Sequence, residues 1–281
     1  MSTAEAMIGE TTVTQRLLAA AAARDGHVAL IGGPADIPGA CSGLSYPDLA
    51  MLLQRAAAGL AWRGVRPRDV VGVYVSDALS YILACHAVRA AGAVPSPVAA
   101  GRSVPDIAGQ LADCGARMLI TSCGLAAVGL AAADRSWVRQ VISFGEAAGA
   151  MPFGSLLGLG SMRPAGARPH ETALLPYLQR AGGLLAQSGI SHLDMSAELQ
   201  RLGASADVTG HDVVLAAPPA GDGRAYTALL DNAMLRGATI VAAAVDALAA
   251  LADEHHGTAA IVPFGTEVPD HPALKMLAID A

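Results

Sequence analysis

Short apolar runs alternate along this chain with segments of helical spacing, and that alternation limits the possible folds more than any other feature. "HVALIGG", the β-branched "DVVGVYVS", "AVPSPV" and "RMLITS" read as buried strands. Between them, "TVTQRLLAAAAARDG", "LSYPDLAMLLQRAAAGLAWRGV", "DALSYILACHAVRAAG" and "SVPDIAGQLADCGA" read as helices. In the second helix Leu49, Leu52, Leu53, Ala56 and Leu60 share one face, and Gly64 stands where a helix stops. Ser76 or Asp77 caps the third, and the fourth carries Pro105 in its first turn. Strands and helices in strict alternation imply parallel sheets with helices on their faces.

Residues 145–170 are rich in Gly, Pro and Ala and read as an irregular connection. The pattern then resumes with "TALLPY", "SHLDMSAELQRLG", "DVVLAAPP", "RAYTALLDNAMLRG", "ATIVAAA", "DALAALADEHHG", "TAAIVPF" and "LKMLAID". The expected architecture is α/β: two stacked subdomains with parallel sheets, 1–150 and 171–281, joined through 145–170. At 281 residues the chain is long enough for a sizeable core.

Charge and composition exclude several classes. A net charge of −6 without any Lys/Arg cluster argues against a nucleic-acid partner. No apolar run reaches the roughly 18 residues of a membrane span, and the N-terminus lacks the basic region of a signal peptide. The four cysteines form no CxxC pair and read as reduced, mostly buried thiols, so a cytoplasmic protein is expected. His255 and His256 are adjacent and would not face each other on a helix, so no metal set is expected there. "GGPADIPG" lacks the dinucleotide spacing, and neither GxSxG nor HExxH occurs, so no cofactor is expected. Charged residues make up only 15% of the chain, which implies apolar surface left to cover. A homodimer or a protein partner is therefore expected, with "RAYTALLDNAMLRG", "DALAALADEHHG" and "LKMLAID" as contact elements.

The stretch "ETALLPYLQRAGGLLAQSGISH" reads as a strand, a glycine-bearing loop and a helix start, the arrangement in which α/β proteins often hold phosphate. Yet the loop has no Lys and no Thr. The run from "LSYPDLAMLLQRAAAGLAWRGVRPRDVVGV" through "AVRAAGAVPSPV" to "IAGQLADCGARMLIT" resembles the opening of the adenylate-forming superfamily. That superfamily comprises acyl-CoA synthetases, aryl-CoA ligases and the adenylation domains of nonribosomal peptide synthetases. The resemblance makes "ALLPY" the strand before the family's phosphate loop. In that register the family's Ser/Thr positions are Leu178, Gln179, Ala181 and Gly182, and its Lys position is Ala186; Gly183 and Leu184 still match. Gly221 and Asp222 stand where the family has an aromatic residue and a His near the acyl substrate. The family's adenine motif, ribose-binding Asp and lid would lie beyond Ala281.

The resemblance implies one crevice at the carboxyl ends of "ALLPY" and "VVLAAPP". Asp222, Arg180 and Arg224 are its candidate catalytic residues, and Tyr177, Gln179, His192 and Tyr226 its candidate pocket residues. Plainer readings stand beside these. Asp222 in "AGDGR" suits a solvent-exposed turn, both arginines suit the surface, and Ser191–His192 suits a helix start. The expected function is an adenylation-incompetent relative of acyl-CoA synthetases. Its remnant acyl pocket would serve another reaction (cyclisation, isomerisation or acyl handling) or bind an acyl-type metabolite in specialised metabolism. A pseudoenzyme acting as structural partner of a ligase or synthase is the alternative, and an acyl-CoA/AMP ligase the second alternative.

Overall fold

A computed structural model describes residues 11–37, 39–158, 167–179, 185–187, 189–205, 207–219, 223–262 and 271–278. The first half runs α1 (Val13–Ala22), β1 (Val28–Ile31), β2 (Leu44–Ser45), α2 (Tyr46–Trp62), β3 (Val70–Tyr74), α3 (Ala78–Ala90), β4 (Val94–Pro97), α4 (Val104–Asp113), β5 (Met118–Ser122), α5 (Ala126–Ala133), β6 (Gln140–Phe144) and β7 (Met151–Pro152). The second half runs β8 (Thr172–Leu174), β9 (Tyr177–Gln179), β10 (Leu185–Gln187), β11 (Ile190–Ser191), α6 (His192–Ser205), β12 (Val213–Ala216), α7 (Arg224–Arg236), β13 (Thr239–Ala242), α8 (Leu248–His255), β14 (Ala259–Val262) and β15 (Lys275–Ala278).

Local chemistry accounts for where the helices begin. Ser45, Asp77 and Ser103 each accept the backbone N–H three residues on, and Thr12 and Gln15 form a reciprocal capping box ahead of α1. α2 ends at Arg63, and Gly64 follows with φ of 95°, a conformation that costs glycine little.

Two sheets form the frame. One is wholly parallel in the order β4-β3-β5-β6-β7. The other runs β15-β14-β12-β13-β1-β2 and is parallel except where β2 pairs with β1. β1 thus joins the sheet built mainly from the second half, not the first-lobe sheet its place in the alternation suggested. Its Leu30 and Ile31 pair with Ile240 and Val241 of β13. α3 touches β3 and β4 of one sheet and β13 of the other, and every residue from Ala78 to Arg89 is buried. A helix buried on every side belongs between layers. One core cluster accordingly runs from Val71 and Val73, through α3, to Ile240 and Ile261.

Some local expectations change. "TALLPY" is two short strands: β8 pairs antiparallel with β11, and β9 with β10. Pro176, with no N–H to offer, stands between them. Cys41 and Cys123 are exposed, whereas only Cys85 is fully buried. α7, expected as a contact helix, buries Tyr226 through Met234 within its own chain. Among the described residues no helix is long and apolar enough to cross a membrane.

Candidate functional site

The β9–β10 hairpin occupies the place of the glycine-bearing loop. Tyr177 pairs with Gln187, Leu178 with Ala186 and Gln179 with Leu185. Alternation along β9 turns Tyr177 inward and leaves Leu178 41% exposed. The Tyr177 hydroxyl donates to the Asp113 carboxylate at 2.6 Å, and Arg102 donates to its carbonyl at 3.4 Å. Burial, and then the bond to Asp113, push the Tyr177 hydroxyl far above the usual phenol range. Residues 180–184 lie outside the described residues, and with them candidate Arg180. Gln179 is described through its backbone pairing alone.

Immediately after β11, Ser191 caps α6: its hydroxyl accepts the Asp194 N–H at 3.1 Å and donates to the Asp194 carboxylate at 2.7 Å. His192 follows. It is not the surface residue its place at a helix start suggested, for it is 1% exposed and neither ring nitrogen has a hydrogen-bond partner. Burial, then the nearby Arg89 charge, lower its pKa to about 4.

α7 begins at Arg224, which is exposed and helps line a cavity of about 400 Å³ together with Asp194, Glu198 and Arg201. Gly223, at φ of 80°, lies so close to β4 and α3 that a Cβ would meet Pro97 and the Tyr81 hydroxyl at 2.9 Å. Tyr226 is fully buried and donates to the Ala217 carbonyl at 2.6 Å. Its ring meets Tyr81 edge-on at 5.3 Å, and burial pushes its hydroxyl well above the phenol range. Candidate Asp222 lies outside the described residues. Of the candidates, then, Tyr177, His192 and Tyr226 are interior groups on three different elements, and Arg224 faces the surface.

One constellation escaped the sequence reading. Between α3 and α7, Arg89 donates to Asp231 at 2.9 Å and to the Ala173 carbonyl at 3.0 Å. The other Asp231 oxygen meets His86 Nε2 at 3.0 Å, and His86 Nδ1 lies 3.0 Å from the Thr14 hydroxyl. Burial alone would raise the Asp231 pKa, but Arg89 and His86 hold it below the usual carboxylate range. A Thr–His–Asp chain resembles a nucleophile relay, yet Thr14 is 1% exposed and Asp231 is tied to Arg89. The cluster therefore joins α1, α3 and α7 rather than meeting a substrate. The available signal was a charge set inside an apolar stretch of each helix, Arg89 in "HAVRAAG" and Asp231 in "LLDNAML".

This architecture, parallel sheets around a buried helix with a hairpin at the phosphate-loop position, is that of adenylate-forming enzymes. The model of the AMP-binding enzyme family matches residues 17–177, and the chain belongs to that family. Among solved structures it is similar to MbtA of Mycobacterium smegmatis, with 25% identity over 90% of this chain and 48% of that one and a TM-score of 0.77. It is also similar to the long-chain-fatty-acid-CoA ligase FadD1 of Archaeoglobus fulgidus, with 20% identity, 89% and 51% coverage and a TM-score of 0.75. A putative long-chain-fatty-acid CoA ligase of Rhodopseudomonas palustris gives 18%, 97% and 70%, with a TM-score of 0.78. The chain spans about half the length of the first two. No curated protein matches it.

Proposed function

We propose that this AMP-binding family member does not itself adenylate carboxylic acids and instead binds or handles an acyl-type metabolite. The observation that carries this reading is Ala186, which stands across from Leu178 in the hairpin ladder where the family pattern has Lys. Polyphosphate is held in such loops by backbone N–H groups, hydroxyls and a cation. Losing one charge-stabilising donor from a preorganised site costs about 3–4 kcal/mol in the transition state. Here a methyl replaces the cation, and the family's hydroxyl positions are Leu178, Gln179, Ala181 and Gly182. Asp222, with Arg180 or Arg224, is the proposed set for orienting or protonating the ligand.

Pyrophosphate exchange across a broad acid panel tests the first half, and the expected result is background exchange. ATP-dependent exchange clearly above background would restore the ligase reading. Thermal shift with acyl-CoAs and polyketide-like acids tests the second half. A stabilising ligand is expected, and Asp222→Asn is expected to lose that shift while keeping the melting temperature of the free protein.

The second reading is a non-catalytic structural partner of a ligase or synthase, possessing the family fold without its chemistry. It is favoured by Tyr177 and Tyr226, whose hydroxyls are already committed to Asp113 and Ala217. Sedimentation velocity at micromolar concentration is expected to show a dimer or a co-purifying partner. A single species near 28.2 kDa, stable on dilution, would count against it.

A further inference from the structure

Among the described candidates, His192 is the one whose burial carries a cost with no visible return. A neutral imidazole has one N–H to donate and one lone pair to fill, and here neither finds a partner. On the same face of α6, one turn on, the Ser196 hydroxyl is also buried and unpartnered. Native chains rarely keep such groups inside, because each costs about 1–3 kcal/mol. Leucine or phenylalanine would fill the position at no such cost.

The surroundings show what the imidazole does there. The charges bearing on it are Arg89 of α3, Asp231 of α7, and Glu171 ahead of β8. Asp231 is already engaged by Arg89 and His86. The Glu171 carboxylate is turned to Arg68 and the Arg168 N–H, and only its backbone carbonyl meets the His192 N–H. β8, β11 and α1 bring apolar groups: Ala173, Leu174, Ile190 and Val13, which pack with Met195 and Leu199 of α6. The sulfur of Met195 in turn touches Arg89. A proton arriving on His192 would therefore find no free carboxylate, and a buried guanidinium nearby.

We propose that His192 makes the seat of α6 acid-labile: neutral, it lies quietly against the α3–α7 cluster, and protonated, it expels α6 from the core. α6 follows directly on β11, so its release loosens the segment that carries the β9–β10 hairpin. The direction is set by the folded-state value of about 4, below the roughly 6.5 of a free histidine. The full contribution of neutral His192 is present above pH 6.5 and is lost as pH falls from 6.5 towards 4. Within that window the folding constant should fall by up to roughly tenfold per pH unit for this one proton.

The test compares wild type with His192→Leu by urea unfolding between pH 7.5 and 4.5. At pH 7.5 the variant is expected to match or exceed wild type. On acidification, wild type should lose stability in excess of the variant. Histidine-ring NMR on the wild type supplies a measurement that does not depend on the variant folding. One ring, assigned to His192, should stay neutral down to about pH 4–5, and its protonation should coincide with loss of the α6 amide signals. Parallel stability profiles for the two proteins, or a His192 ring titrating near 6.5 with α6 intact, would overturn the proposal.

Discussion

Where α3 meets α7, each charged group is answered. Arg89 has Asp231, the Ala173 carbonyl and the Met195 sulfur, and Asp231 has His86, which has Thr14. At the β9–β10 hairpin the central facing pair is Leu178 and Ala186. Both regions lie within one family fold, and they have fared differently. Polarity is dense where it holds the two sheets and their helices together, whereas the positions at which the family pattern has hydroxyls and a lysine carry neither a hydroxyl nor a cation. The reason is energetic. A buried ion cluster that loses one member leaves the others as uncompensated charges in low dielectric. A cation that water can reach leaves no such stranded partner when it is absent. Scaffold and chemistry can therefore part company, and the fold by itself does not certify the reaction.

The contrast is most directly broken at Asp231. Replacing it by Ala strands Arg89, whose side chain is fully buried, and the expected loss is about 3–5 kcal/mol in urea unfolding. A loss under about 1 kcal/mol would mean that water enters the cluster and that the two regions differ less than their burial implies. Tyr177→Phe lies at the boundary between them. It removes the 2.6 Å bond to Asp113 but keeps the packing against Val94 and Leu175, so about 1–2 kcal/mol should be lost. No change would detach the hairpin base from α4. Ala186→Lys should have the smallest effect on stability, since it removes no hydrogen bond or ion pair. It should also leave pyrophosphate exchange at background, since the family's hydroxyl positions remain without a hydroxyl. Exchange gained by that one lysine would show that the loop lacks a single charge and nothing more.

Much of the fold was legible in the chain. The alternation announced two parallel sheets, and Asp77 and Gly64 marked helix ends because capping acts across three or four residues; the Ser45 and Ser103 caps came with the structure. The family was legible for a related reason, since its opening run of helix and strand survives in order over residues 17–177. The site was less so. Tyr177 and Tyr226 read as pocket residues because they sit at strand and helix ends, yet the pleat and the helix face turn both inward. His192 read as a pocket candidate or, more plainly, as a helix-start residue beside a capping serine, and only the approach of α3 and α7 buries it.

The sequence by itself determined what neighbours in the chain can decide: where most helices run, which long apolar segments are strands, and that Ala186 brings no charge to the loop. Tertiary structure decided what needs distant partners. It placed β1 beside β13 although some 200 residues separate them, as the pairing of Leu30 with Ile240 records. It brought Arg89 to Asp231 across 142 positions and Thr14 to His86 across 72. Period and propensity describe a segment's own faces. Which face meets which depends on how the two sheets close around α3, and that closure buries Arg89 and His192 together.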